Sequence, residues 1–515
     1  MLILPSIRSC ICKANSIVFF RCLLLLTQEL LSRLLAFSLL KVEGVQSVYC
    51  AGSMARRDYQ PGESDIDLIV LTKNCSLEEE IILINKISIR FKRLNFIFKI
   101  GSLLYILSPQ DIRIIEQISG FVYIFNPAQW RLLSGKKAAH LPLNLQVPAN
   151  NFGFLLNAKI WHDTMLEYYY ARDPRNKTTE IRKFYSTAFK ICRLIAYARR
   201  EAFAANIFDP APYSFLNEIN DDYLQKKCKE VQKQQWGVCL DKNTEFHIAE
   251  ICARTIKYLD SEAHKYFKEQ GGHSENRIFE RPSLPLNRID PPVQKLFTKN
   301  LSMLYKNIDL IIHHQSTYHM FLKTSLSAEE IRQTLVFLKQ NQNNLPLPDR
   351  FIVSTPHIFY LGITSDPIGY SSFLRDSQIY TQEAGKEKMF IAATRPEKIF
   401  INFSRCIFAK NSAFLLQGEQ RIAKLKFVLT GLMQCRLFFE KGELAFQGDE
   451  VEKYRQGYGK EAATASMCTL FQSKWPPASS QEAKEQERRL WTSCNYLANK
   501  AMPKYSSKWQ SPKAQ

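Results

Sequence analysis

The chain has 515 residues, and 69 Lys and Arg against 49 Asp and Glu leave a formal charge of +20. With 46% apolar and 23% charged residues it is globular and of about three domains, which excludes disorder along its whole length; 19 Gly and 22 Pro exclude collagen and flexible repeat arrays. The charge favours polyanionic partners (nucleotides, nucleic acid or acidic membrane) without choosing among them.

Residues 1–20 read as a poorly constrained extension. Ile17-Val18-Phe19-Phe20 and Leu23 to Leu26 invite comparison with a signal sequence, but Arg21 interrupts the run and no small-residue cleavage site follows. The unbroken apolar run is far below the ~18 residues of a bilayer span. Arg21–Leu40 therefore reads as an amphipathic helix, and no membrane span is expected. Val45–Cys50, after Glu43-Gly44, reads as a buried strand, and Asp65–Thr72 as a second. Glu78–Ile89 has helical spacing, and the alternating Leu94–Ile100 reads as a third strand. A short helix over Asp111–Ser119 and a short strand over Phe121–Phe125 follow. The mixed region closes near Ser134-Gly135.

From Asn151 the chain turns helical. In Thr178–Asn206, Ile181, Phe184, Ala188, Ile191, Ile195, Ala198 and Ala202 trace one buried stripe, and Thr244–Phe267 is a second long helix. Gly271 to Pro292, with four prolines, reads as a linker. Residues 293–340 read as two helices, Pro346–Tyr380 as irregular, Ile422–Phe439 as a helix, and Glu482–Arg489 as a polar helix after Trp475-Pro476-Pro477. No internal repeat is evident. The expected architecture is α+β: an extension (1–24), a small mixed-sheet domain (25–150), a helical domain (151–270), a linker (271–292), a mostly helical C-terminal domain (293–490) and a basic tail (491–515). The 13 cysteines include no Cys-x-x-Cys, which argues for reduced, buried thiols in a soluble cytoplasmic protein rather than for disulfides or zinc.

One segment carries chemistry. Val48-Tyr49-Cys50-Ala51-Gly52-Ser53 is followed by Ser64-Asp65-Ile66-Asp67-Leu68-Ile69-Val70. Asp65 and Asp67 are two apart on an expected strand, so they project from one face while Ile66 and Leu68 face the core. Two carboxylates held this close need a cation, and hard oxygen ligands suit Mg²⁺ or Mn²⁺. Gly52 lets backbone approach a ligand, and with the Ser53 hydroxyl and the amides of the following turn it makes a phosphate cradle. Ser64 and Arg56 stand near enough in sequence to join it. A phosphate site beside a carboxylate pair is what nucleotidyl transfer from an NTP requires.

Gly52-Ser53 followed by Ser64-Asp65-Ile66-Asp67-Leu68 resembles the signature of the polymerase-β-like nucleotidyltransferase superfamily, and Leu39–Cys50 is similar to its helix-strand lead-in. The resemblance covers about residues 25–135. It implies that Asp65 and Asp67 bind metal and act catalytically, and that Gly52, Ser53, Ser64 and Arg56 hold the NTP. It also implies that an acceptor hydroxyl, on a small molecule, a protein or an RNA end, attacks the α-phosphorus. In active relatives a third carboxylate comes from a later strand. Asn95 stands there on Leu94–Ile100 and cannot accept a proton. Asp111, Glu63, Asp163 and Glu167 are the alternatives. The Asn95 position also admits a catalytically silent nucleotide sensor, and the +20 charge a plain nucleic-acid binder.

The remaining signals are unspecific. Lys86, Arg90, Lys92, Arg93 and Lys99 form a basic face for triphosphate, nucleic acid or solvent. Tyr168-Tyr169-Tyr170 and Trp161 suit base stacking or helix packing. Lys183, Lys190, Arg193, Arg199 and Arg200 line a cleft or face water. His313, His314 and His319 lack the spacing of a helical zinc pair. No Walker loop, Rossmann fingerprint or Gly-x-Ser-x-Gly elbow occurs.

Overall fold

The computed structural model describes residues 18–56, 66–98, 102–118, 130–137, 151–170, parts of 187–199, 244–270, 277–278, 307–314, 317–340, 350–365, 378–381, 393–394, 396–441, 443, 445, 449–472 and 480–501. The chain forms two compact units. Unit 1 takes Met1–Val147, Ala205–Phe208 and Pro396–Gln515, and unit 2 takes Pro148–Ala204 and Asp209–Arg395.

Unit 1 begins with helix α1 (Val18–Leu40). Leu35, Ala36 and Leu39 are fully buried on its inner side. Its outer side shows Phe19, Leu23, Leu26, Leu30, Leu34 and Phe37 to solvent. Both faces are therefore apolar, and the amphipathic reading holds for neither the length nor the outer side. The 19-residue stretch Cys22–Leu40 is long and apolar enough to cross a membrane by length and composition, against the expectation that no segment is. In the fold its inner side packs on the sheet.

Gly44, at φ 94°, turns the chain into strand β1 (Val45–Ala51). A short helix α2 (Gly52–Arg56) follows, then β2 (Ile66–Thr72) and helix α3 (Leu77–Phe98). Leu94–Phe98 continue this helix, so the expected strand over Leu94–Ile100 is not there, and Asn95 is a helical residue. Leu83, Ile84, Ile87 and Phe91 already bury one stripe of α3. Extending a formed helix needs no new nucleus, and that outweighs a short alternating run. The third strand, β3, is Ser102–Leu107, followed by helix α4 (Pro109–Ile118) and β4 (Arg131–Gly135). Phe121–Phe125 lie outside the described residues. The sheet order is β3-β2-β1-β4, with β2 and β3 parallel and the other pairs antiparallel.

Unit 2 starts with helix α5 (Asn151–Tyr170); α6 (Thr244–Gln270) follows later in the chain. Ala188, Ile191, Ile195 and Ala198 are buried as their spacing requires. A two-residue strand β5 (Arg277–Ile278) pairs with β10 (Ala393–Thr394). Two strands, β6 (Ile308–His314) and β7 (Thr317–Leu322), stand where a helix was expected. Helix α7 (Ala328–Gln340) agrees with the sequence reading. The stretch read as irregular holds β8 (Arg350–Ser354), helix α8 (Pro356–Ser365) and β9 (Gln378–Thr381). The sheet order is β8-β7-β6-β9. β-Branched and aromatic residues in β6 and β7 satisfy a pleated, half-buried surface as well as a helix, and the cross-strand partners decide.

The chain then returns to unit 1 with helices α9 (Pro396–Ser412), α10 (Gly418–Lys441), α11 (Glu450–Tyr458), α12 (Ala462–Gln472) and α13 (Gln481–Ala501). The region 293–490 is thus split between the units. Helix α13 buries Trp491, Cys494 and Leu497 completely, so residues 491–501, expected to belong to a tail, are packed helix. A buried polar cluster ties the returning helices to the sheet. Lys410 Nζ lies 2.8 Å from Asp111 Oδ1 and also donates to Asn495. Asn411 donates to the Ile106 carbonyl at 2.8 Å and to Asp111 at 3.0 Å, and accepts from the Trp491 indole at 3.1 Å. Among the described residues the cysteines are free, and all but Cys22 and Cys75 are buried.

Candidate active site

The site forms where β1 ends beside the start of β2. Ala51 pairs with Asp67 across the antiparallel ladder. Ile66 and Leu68 point into the core with no exposure, whereas Asp67 is the one β2 position that is not buried. The alternation that the Ile-Asp-Leu sequence dictates therefore aims this carboxylate at the active-site face.

Gly52, directly after Ala51, has φ 64°. A Cβ built on it would lie 2.5 Å from Asp67 Oδ2. Glycine is thus needed twice, for the left-handed backbone and for the space the carboxylate occupies. Gly52→Ala is expected to lower stability by roughly 1–2 kcal/mol, the usual cost of the left-handed conformation, and to push Asp67 aside. Chemical denaturation measures the first effect and nucleotide titration the second.

Two residues that the motif does not contain brace this turn. Arg131 of β4 grips Glu29 of α1 with both guanidinium ends, at 2.8 and 2.7 Å, and donates to the Met54 carbonyl at 3.4 Å. Ser32 contacts the Met54 sulfur at 3.4 Å. Arg131 holds the Glu29 carboxyl down at about 2 against partial burial, which pushes it up. A depressed carboxylate stabilises the fold fully above its ordinary range near 4.5 and loses that contribution as pH falls toward 2. Glu29→Gln should lower stability at neutral pH, where the ionised carboxylate contributes fully, and flatten the fall in that acid window, so that variant and wild-type denaturation midpoints converge as pH approaches 2. No sequence signal marks Glu29 or Arg131, because their contact joins residues far apart in the chain.

Tyr105 of β3 shares the Asp67 face, since Asp67 aligns with Leu103 and Ile69 with Tyr105 in the parallel ladder. Burial first, and then the Asp67 charge, push its phenol up to about 12. β3 reads Ser-Leu-Leu-Tyr-Ile-Leu and offers no carboxylate. The expectation that places Asn95 on a strand is therefore corrected: Asn95 is in helix α3, and the strand parallel to β2 is Ser102–Leu107.

Asp111 is also corrected as a candidate. It follows the far end of β3, roughly 15 Å from the Asp67 level at ~3.3 Å per strand residue. Its carboxylate is spent on Lys410, Asn411 and a reciprocal cap with Ser108, whose amide donates to it at 3.0 Å. Asp163 belongs to unit 2, where Lys159 and His162 outweigh burial and hold it at about 2. Glu167 is in unit 2 as well. Ser64, Asp65 and Glu63 lie outside the described residues, as do the side chains of Asn95 and Arg56 and the whole of Lys99. Among the described residues no three His, Cys, Asp or Glu side chains converge on a metal position.

Of the basic face, Lys86, Arg90 and Arg93 are exposed, with Arg90 donating to Ser38 at 2.9 Å. Burial and then the Arg421 charge push the Lys92 amine down. In unit 2, Lys190 covers the Trp161 ring at 3.9 Å and Arg199 pairs with Glu262 at 2.6 Å. Tyr169 and Tyr170 are buried, edge to face at 4.9 Å. Tyr169 and Tyr170 are thus packed inside unit 2. A cavity of about 430 Å³ in unit 1, lined by Ile81, Arg421 and Glu487 among others, lies beside the opposite end of α3 from Asn95 and is not the Asp67 site.

Residues 31–117 match the family model of the nucleotidyltransferase domain. No curated protein and no solved structure matches the chain. The matched span runs from α1 through β1, the Gly52-Ser53 turn, Asp67, β3 and α4, the same elements that assemble the site. Residues 31–117 therefore form a nucleotidyltransferase domain of the polymerase-β-like superfamily.

Proposed function

We propose that the protein is a metal-dependent nucleotidyltransferase that moves a nucleoside monophosphate from an NTP to a hydroxyl acceptor. The observation that carries this reading is the fit of the Asp67 carboxylate into the space left by Gly52. A turn needing glycine next to an outward-facing carboxylate is a cradle for phosphate and a divalent ion, and hard oxygen donors fit Mg²⁺ or Mn²⁺. Asp67, with Asp65 two residues earlier in the sequence, would hold that ion. When bound, the ion supplies charge neutralisation at the phosphates and orients the triphosphate.

This chain's own residues would do the rest. Gly52 backbone and the Ser53 hydroxyl bind phosphate oxygens, with Ser64 and Arg56 flanking. Arg131 and Glu29 fix the turn from behind. The acceptor oxygen forms a bond to the α-phosphorus as the bond to the bridging oxygen breaks, and pyrophosphate leaves. β3 has no carboxylate to take the hydroxyl proton, so water carries it away. The same lack favours a second reading, a nucleotide-binding protein that performs no transfer. Incubation with α-³²P-labelled NTPs and candidate acceptors separates the two. Metal-dependent label transfer that Asp67→Ala removes supports the enzyme; metal-dependent NTP binding with no transfer to any acceptor supports the silent binder. Nucleic-acid affinity that falls with salt and ignores Asp67→Ala would point instead to plain use of the +20 charge.

A further inference from the structure

The sheet of unit 2 repeats the sheet of unit 1 strand for strand. In each, two antiparallel neighbours come first (β1 and β2; β6 and β7), a helix crosses over to a third strand parallel to the second (β3; β8), and a fourth strand pairs antiparallel with the first (β4; β9). Topology of this kind recurs by chance, so the local details decide. The crossover helix is capped identically. The Ser76 amide and hydroxyl meet Glu79 Oε2, each at 2.8 Å, and those of Ser327 meet Glu330 Oε2 at 2.9 and 2.8 Å.

Three further features coincide. The residue after the second strand, Lys73 or Lys323, donates its amide to the carbonyl just before the first, Gly44 at 2.8 Å or Asn307 at 3.0 Å. The ladder slips at its start in both sheets, between Val45 and Ser47 and between Ile308 and Leu310. The third strand runs through Ser108 or Thr355 into a helix with proline first, Pro109 or Pro356.

We infer that unit 2 contains a second, catalytically silent copy of the nucleotidyltransferase core, and that the chain binds nucleotide only at the first. Register fixes the equivalence. Val45 pairs with Thr72 and Ala51 with Asp67; Ile308 pairs with Leu322 and His314 with Thr317. Thr317 therefore stands where Asp67 does. Residues 52–66 separate Ala51 from Asp67, whereas only 315 and 316 separate His314 from Thr317. The segment that carries Gly52, Ser53, Arg56, Ser64 and Asp65 has no counterpart. At the β3 position level with Asp67 the second copy has Arg350, paired with Thr317. A hydroxyl and a cation cannot replace a metal-binding carboxylate pair.

The nucleotide half of this inference rests on the transfer reading; the duplicated core does not. An experimental structure of the full chain with Mg²⁺ and a non-hydrolysable NTP analogue tests both. The two sheets are expected to superpose in the same order and direction, with the analogue at Asp67 alone. A different strand order in unit 2 overturns the duplication, and analogue bound beside His314 and Thr317 overturns the silence. If the sheets superpose and the analogue is at neither, the duplication stands and the transfer reading fails. As a solution check, Thr317→Ala should leave label transfer unchanged.

Discussion

Asp67→Ala is expected to lower nucleotidyl transfer about a thousandfold while leaving the fold intact. The magnitude follows from removing several kcal/mol of metal-mediated charge stabilisation, at about 1.4 kcal/mol per factor of ten in rate. Because Asp67 is the β2 residue that is not buried, its truncation gives up the contact over Gly52 but opens no cavity in the core. The measurement is label transfer from α-³²P-NTP beside a denaturation curve. Asp67→Asn is the sharper control. It keeps the shape against Gly52 but halves the hard-oxygen donors and removes the charge, and it should lose nearly as much activity. Transfer at wild-type rate in both variants, with an unchanged fold, would exclude this carboxylate from the chemistry.

The largest stability effect is expected at the Lys410–Asp111 pair. Lys410 is 2% exposed and Asp111 1%. Lys410→Met leaves Asp111 with the Asn411 amide and the Ser108 cap but without its cation. Breaking a buried pair from one side costs roughly 3–5 kcal/mol, because the surviving charge is uncompensated. The double variant Lys410→Met/Asp111→Asn should recover most of the loss, since it removes both charges of the pair. Denaturant midpoints for the two singles and the double measure the coupling. Additive losses would mean that the two side chains do not act as a pair. The same contact explains why α9 and α13 belong with the sheet of unit 1: Asp111 and Ile106 offer acceptors that Lys410 and Asn411 satisfy in that interior.

The outer stripe of α1 separates composition from placement. Its leucines and phenylalanines read equally as core, as membrane span or as interface. The inner side is settled by burial of Leu35, Ala36 and Leu39 and by the Glu29–Arg131 pair. The outer side carries a length and hydropathy that pass for a span. Local sequence cannot distinguish these cases, since apolar surface has no direction of its own.

Sequence alone determined the chemistry-bearing turn. Gly52-Ser53 could be placed between two strands, and Asp67 outward from the second, because a period of two and the glycine requirement are local rules that act within a few residues. The helices observed at 244–270, 418–441 and from 481 were legible for the same reason, as 244–267, 422–439 and 482–489, from spacing along one chain segment. What only the tertiary structure decided is everything set by partners distant in sequence. Leu94–Phe98 satisfied both periods until α3 claimed it, and that moved the third strand to Ser102–Leu107. Glu29 and Arg131 brace the turn, and Lys410 reaches Asp111, across separations that no periodicity records. The second sheet was hidden because β6 to β9 are short and apolar, and such runs fold as strands only when a neighbouring strand supplies their hydrogen bonds.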